Sequence, residues 1–307
     1  MKRLNTSGFD PDIFRRFESY TPFQNIMILN TIDTETKTIY HEIEQNNNFN
    51  TISIMDYNLN QESKKIKVNN SQTIITDMCI INEESFLLCY YHNKINKIIV
   101  KVININGLKL DLGPMCIVDE KTNSSVMSVI SISKDRAILT YNDNFNKVGK
   151  ILYLKINNNQ IYVIEKYIFA NDIVPELSTF KINDTQYVMF YQLNNCGVMR
   201  LTDIERDKIF LKNEQIFYKG SNLWGLSVNR VHDYFILIFI NNQKKLVMKI
   251  LSADNKLTFT SGSVYNKPVE NGFELISIDN EFCLCYFNGI VQIISIINGQ
   301  VIQPENF

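Results

Sequence analysis

A chain of 307 residues with 31 Lys and Arg against 32 Asp and Glu carries a formal charge of -1, so it has no global electrostatic footprint for nucleic acid or an anionic membrane. No apolar run reaches the roughly 20 residues of a membrane-spanning helix, and the opening Met1-Lys2-Arg3-Leu4 lacks the apolar core of a secretory signal. A hydrophobic content of 45% is that of an ordinary folded protein, and only 6 prolines and 11 glycines argue against long linkers.

Residues 1–24 match nothing later in the chain. Within them Asp10-Pro11-Asp12, followed by Ile13, Phe14 and Phe17, predicts a short capped helix with Pro in its first turn. From residue 25 the pattern changes to short apolar runs separated by polar clusters. The first four runs predict strands near 25–32, 36–43, 51–57 and 64–68.

The second of these strands closes on Tyr40, and the feature returns at Tyr90, Tyr141, Tyr191, Phe239 and Tyr286, at intervals of 50, 51, 50, 48 and 47 residues. Polar clusters precede each aromatic: Ile32-Asp33-Thr34-Glu35, Ile81-Asn82-Glu83-Glu84, Ile132-Ser133-Lys134-Asp135, Ile182-Asn183-Asp184-Thr185 and Ile278-Asp279-Asn280-Glu281. Each reads as a hairpin turn. The fifth copy departs, with Val228-Asn229-Arg230-Val231-His232-Asp233 reading as an insertion. A second hairpin follows in each copy, with turns at Asn106-Gly107, Asn158-Asn159, Arg206-Asp207, Asp254-Asn255 and Asn298-Gly299. Such pairs supply the positive φ of a tight turn.

Six copies of a four-stranded meander, each about 50 residues long, resemble the blades of a β-propeller. The expected architecture is therefore all-β: residues 25–307 form a six-bladed propeller of four-stranded antiparallel blades, preceded by the 1–24 extension. That extension would cover a disc face or the edge of the last blade, or dock another protein. No specific propeller family is recognised, since Trp-Asp strand ends, double-glycine kelch turns and the Ser-x-Asp-x-Gly-x-Thr-Trp boxes of sialidases are all missing.

The six cysteines do not pair by spacing. Cys89 and Cys285 occupy the place held by Ile39, Thr140, Phe190 and Ile238 in other copies, as small buried hydrophobes do. Cys79, Cys116, Cys196 and Cys283 also lie in apolar strands, and no Cys/His array has zinc spacing. Free thiols imply a reducing, cytoplasmic compartment. In that setting the Asn-x-Ser/Thr sequons at Asn5, Asn69, Asn123 and Asn183 are by-products of a composition rich in Asn, Ile and Lys. That composition reads as A+T-rich coding, as in a protist, an intracellular parasite or a large DNA virus, so the compartment is a cell's own cytoplasm or a host's.

Catalytic motifs are absent: there is no Gly-x-Ser-x-Gly elbow, no phosphate loop and no calcium loop. His41 and His92 follow their aromatics by one and two residues, which places them on one rim of adjacent blades, and His232-Asp233 lies in the fifth copy. No catalytic residue, metal ligand or cofactor is expected.

Two repeated features remain. A basic residue recurs inside the third strand, at Lys101, Lys155, Arg200 and Lys249, and reads as a snorkelling side chain or a basic ring for an acidic partner. The first strands, which line the axial channel of a propeller, carry Asp77, Ser128, Glu176, Trp224 and Glu274. Asp77, Ser128 and Glu274 are the candidate channel-lining residues, facing water or a ligand.

The expected function is a non-enzymatic protein-interaction scaffold, a monomer or one subunit of a larger assembly, that contacts neither nucleic acid nor membrane. Phe145, His92 and Trp224 are its candidate partner-binding residues. Phe145 leads because the Asn142 to Lys150 loop is long and polar and gives that ring no core duty. The alternative is a glycan or small-molecule binder at the channel mouth around Trp224, Asp77 and Glu274, and a propeller hydrolase or lyase ranks third.

Overall fold

Runs rich in Ile, Val, Tyr and Phe, divided by Asn, Asp and Gly turns, pair most cheaply by folding each strand back on the one before. The computed structural model describes residues 27–302, except 32–36, 45–48, 57–60, 63–65, 69–72, 83, 108, 125, 221–222, 255–256, 270–272, 278–281, 288–289 and 298–299. In most of the first and sixth sheets it describes backbone only. The helix expected near residues 10–17 lies outside the described residues.

Six antiparallel sheets succeed one another in chain order. The first holds β1 (Met27–Thr31), β2 (Lys37–Glu44), β3 (Phe49–Asp56), β4 (Gln61–Glu62) and β5 (Ile66–Lys67). The second holds β6 (Thr73–Asn82), β7 (Ser85–His92), β8 (Lys97–Asn106), β9 (Lys109–Leu112) and β10 (Cys116–Glu120). The third is β11 (Met127–Ser133), β12 (Arg136–Asp143), β13 (Val148–Asn157) and β14 (Gln160–Ala170). The fourth is β15 (Leu177–Asn183), β16 (Gln186–Leu193), β17 (Cys196–Glu205) and β18 (Lys208–Lys219). The fifth is β19 (Trp224–Val231), β20 (Tyr234–Ile240), β21 (Lys245–Ser252) and β22 (Phe259–Pro268), and the sixth is β23 (Phe273–Ser277), β24 (Phe282–Phe287), β25 (Ile290–Ile297) and β26 (Gln300–Ile302). Their number and order match the six copies of the sequence.

Two expectations need correction. The outer strand is not continuous in the first two sheets: β4 and β5 both pair with β3, and β9 and β10 both pair with β8. In the second sheet Gly113-Pro114 breaks the run, and Pro has no N–H to give a ladder. The fifth copy contains no insertion either. Arg230 pairs with Phe235 and Val231 with Tyr234, leaving a two-residue turn at His232-Asp233. The other three well-described copies carry a bulge there, which places Ile81, Ile132 and Ile182 outside the ladder. The fifth copy loses that bulge and acquires one between Trp224 and Ser227 instead. The tight turns expected at Asn158-Asn159 and Arg206-Asp207 do have positive φ at both residues, as does the pair Asn194-Asn195.

The core lies between sheets rather than within them. Five clusters of buried side chains each straddle two consecutive sheets, and they include Leu88 and Val68 across the first pair and Leu237 and Val188 across the fourth. The first strands of successive sheets adjoin, β6 against β11, β11 against β15, β15 against β19 and β19 against β23. Where both faces of a sheet are covered, the second strand carries a continuous apolar run, as in Phe86 to Tyr91. The aromatics that mark the repeat, Tyr90, Tyr141, Tyr191 and Phe239, are all fully buried.

Candidate functional site

The first strand of each sheet has an outer edge of backbone N–H groups that no strand of its own sheet pairs. Polar side chains from the preceding sheet bond to this edge, three of them by accepting its N–H groups and one by donating to a carbonyl. Asp77 on β6 accepts from the backbone N–H of Val129 on β11 (2.7 Å) and of Met78 (2.9 Å). One sheet further on, Ser128 Oγ accepts from the N–H of Thr179 (3.1 Å). In the next, the Glu176 carboxylate accepts from Gly225 (2.9 Å) and Leu226 (3.2 Å). Between the fifth and sixth, Asn229 Nδ2 donates to the carbonyl of Leu275 (3.4 Å). The interval is close to one repeat each time, so the bonds form a ladder from sheet to sheet. Burial pushes the Asp77 carboxyl up to about 7 against the pull of its N–H donors, and raises Glu176 for the same reason. Asp77 and Ser128 thus spend their polar atoms on neighbouring strands. Glu274 stands opposite Tyr286 in β23, with its side chain outside the described residues.

The outer seams are sealed by a second device. A bulge places Phe169 of β14 and Phe217 of β18 out of their ladders, and each ring packs edge-on against the marker aromatic of the following sheet. Phe169 meets Tyr191 at 5.1 Å between centroids and Phe217 meets Phe239 at 5.9 Å. Beneath each ring lies a glycine: a Cβ on Gly149 would fall 2.5 Å from the Phe169 ring, and one on Gly197 would fall 2.5 Å from Phe217. Sequence reading missed this pair, although Gly149 and Phe169 recur 48 residues later as Gly197 and Phe217.

Two of the four basic residues of the third strands, Lys101 and Arg200, reach back to the preceding sheet as the snorkelling reading expects. Lys101 Nζ donates to the carbonyl of Val68 (2.8 Å), and Arg200 donates to those of Phe169 and Lys212 (both 2.8 Å). Lys249 lies 5.2 Å from the centroid of the Phe259 ring. Lys155 is exposed.

Second-to-third strand turns and sheet-to-sheet connections share one rim, and hydrogen bonds tie them together. Thr122 N–H donates to Asn96 O (3.2 Å), Asn144 N–H to Asn123 O (2.7 Å) and Val174 N–H to Asn142 Oδ1 (2.9 Å). Among the described residues, the exposed apolar side chains on this rim include Ile95, Phe145, Ile173 and Trp224. Phe145 is 74% exposed and Trp224 is 46% exposed. His92 ends β7 on the same rim, half-buried, whereas His232 sits in a first-to-second strand turn on the opposite one. His41 lies in β2 with its side chain outside the described residues.

The turn carrying Phe145 is held rigidly. Asp143 Oδ1 accepts from the N–H of Phe145 (3.1 Å) and of Asn146 (3.3 Å), while Oδ2 accepts from Asn146 Nδ2 (2.6 Å) and pairs with Lys150 Nζ (2.7 Å). Burial pushes the Asp143 carboxyl upward, but its donors outweigh that and hold it below the usual carboxylate range. No group of three or more His, Cys, Asp or Glu side chains converges as a metal site among the described residues.

No protein-family model and no curated protein matches this sequence. Solved structures do match it. Hydrazine synthase from Kuenenia stuttgartiensis has a TM-score of 0.61 at 9% identity, over 90% of this chain and 80% of that one. The Dos1 propeller gives 0.56 at 8%, over 88% and 78%. A post-proline cleaving enzyme from Rickettsia typhi gives 0.56 at 13%, over 96% of this chain and 46% of that one. The chain therefore spans less than half the length of the prolyl-cleaving enzymes it matches. At such identities the likeness is one of fold, and together with the sheet order it shows that this chain folds as a β-propeller.

Proposed function

We propose that the chain is a non-enzymatic protein-interaction scaffold that binds its partner on the rim carrying Phe145. The observation that carries this reading is the exposed Phe145 ring on a turn locked by the buried Asp143 carboxylate. A large aromatic side chain on ordered backbone loses little entropy on docking, and that economy is a feature of interface anchors. Trp224, Ile95 and Ile173 extend the apolar character of the rim, and His92 stands among them. The five cysteines with described side chains are free thiols, which favours a reducing, cytoplasmic setting. No helix among the described residues is long and apolar enough to cross a membrane.

The test is affinity capture of the tagged chain from its native cells, run beside Phe145→Ala and Trp224→Ala. A stoichiometric protein retained by the wild type and lost from Phe145→Ala, with stability changed by less than about 0.5 kcal/mol, supports the reading. Equal retention by all three proteins sinks it.

A further inference from the structure

Between the third and fourth sheets, on the same rim, lies a cleft of about 480 Å³, within the roughly 300–1,000 Å³ of small-molecule pockets. Its floor is the buried pair Phe169 and Ala170. Its defining feature is a cross-strand couple, Arg200 on β17 opposite Glu214 on β18. Arg200 is fixed from two sides, by Nε to Lys212 O and Nη1 to Phe169 O, and Nη1 also meets Glu214 Oε1 at 3.3 Å. Glu214 Oε1 is fixed in turn by the Tyr191 hydroxyl (2.7 Å). Among the described residues neither Arg200 Nη2 nor Glu214 Oε2 makes a hydrogen bond, so a held donor and a held acceptor remain side by side. The amides of Asn171, Asn194 and Asn213 also line the cleft, each offering both a donor and an acceptor.

The couple is not a packing solution required by the fold, because it does not recur. Counting from the start of each third strand, the place of Arg200 is held by Lys101, Leu152 and Lys249 in sheets two, three and five, and opposite Lys249 stands Gly262. The equivalent seam between sheets two and three is closed by Asp119, Lys150 and Lys166.

We propose that this cleft binds a neutral polyhydroxylated ligand, the terminal ring of a saccharide being the class that fits. An anion would meet Glu214 and Asp172, a cation would meet Arg200, and an apolar ligand would strip water from three amides without replacing their bonds. A hydroxyl both donates and accepts, so two adjacent hydroxyls satisfy Arg200 Nη2 and Glu214 Oε2 together.

The experiment is an NMR titration of the full chain with methyl glycosides of the common hexoses, deoxyhexoses and N-acetylhexosamines, with citrate and spermidine as charged controls. Saturable shifts of the Asn171, Asn194 and Asn213 side-chain amides and of Arg200 Nε are expected with at least one glycoside. Asn213→Ala, at an exposed position that leaves the fold intact, weakens that glycoside by about tenfold. The proposal is overturned if no glycoside saturates these signals, if a charged control binds there more tightly, or if Asn213→Ala leaves affinity unchanged. None of these outcomes depends on whether the Phe145 rim binds a protein.

Discussion

The seam between sheets two and three and the seams on either side of sheet four occupy the same place in the repeat, yet they are closed by opposite chemistries. At the later seams a bulged Phe lies over a Gly and packs on the next marker aromatic, as Phe169 does on Tyr191 and Phe217 on Phe239. At the earlier seam the equivalent bulged residue is Val118, and Ile98 stands where the others have Gly149 and Gly197. Volume moves from the outer strand to the third strand, and an ionic network stands at the same seam. There Asp119 accepts from the buried Tyr141 hydroxyl, from Lys150 Nζ (3.1 Å) and from Lys166 Nζ (3.1 Å). The lesson is that the repeat specifies backbone geometry and total volume at a seam, and leaves the means of filling it free.

The largest effect is expected at the aromatic seam. Phe217→Ala removes a ring that is 3% exposed and should cost about 3–5 kcal/mol in urea unfolding. Gly197→Ala alone should cost about 1–3 kcal/mol, because the new Cβ meets that ring. In the Phe217→Ala background the same change should be close to neutral. A cycle with no coupling between the two sites would mean that ring and glycine are not one device.

Next comes the ionic seam. Asp119→Ala leaves the buried Tyr141 hydroxyl unpaired and takes one partner from Lys150, for a loss of roughly 3 kcal/mol at neutral pH. Burial pushes the Asp119 carboxyl up, but hydrogen bonds from Tyr141, Lys166 and Lys150 outweigh it and hold the group below its ordinary value of 3.8. A folded-state value below the unfolded one gives stability that is present above about pH 4 and lost as pH falls below it. The gap between wild type and Asp119→Ala should therefore narrow in acid, whereas the Phe217→Ala deficit should not. Parallel acid profiles for the two variants would erase the distinction between the seams.

The smallest effect concerns the inner ladder, and its sign is opposite. The folded-state value of Asp77 stands at about 7 against an ordinary 3.8, so the folded state holds the proton more tightly and stability falls as pH rises from about 4 to about 7. Asp77→Asn keeps an oxygen to accept the Val129 N–H and removes the charge. It should flatten that decline, with a difference from wild type on the order of 1–2 kcal/mol across the window, since the group is only half-buried. Thermal melts of both proteins at pH 5 and pH 8 check this, and an unchanged slope would place Asp77 in water.

The repeat, the number of sheets and several of the turns were legible in the sequence, because each depends on local pattern: hydrophobic runs, Asn and Asp pairs, and a spacing that survives divergence. The break in the second outer strand was legible in principle, as Gly113-Pro114 announces it. Phe145 was also readable, as an aromatic in a polar loop that offers it no partner. The roles of Asp77, Ser128 and Glu176 were not, since a polar residue in an inner strand reads alike whether it faces water or caps the backbone of a sheet some 50 residues away. The Arg200 and Glu214 couple was equally hidden, because it depends on the register of β17 against β18 across a bulge. The sequence by itself determined which segments become strands and how many sheets they make. Only the tertiary structure decided which side chains are spent between sheets and which remain free to bind, because that choice is made by contacts one full repeat apart.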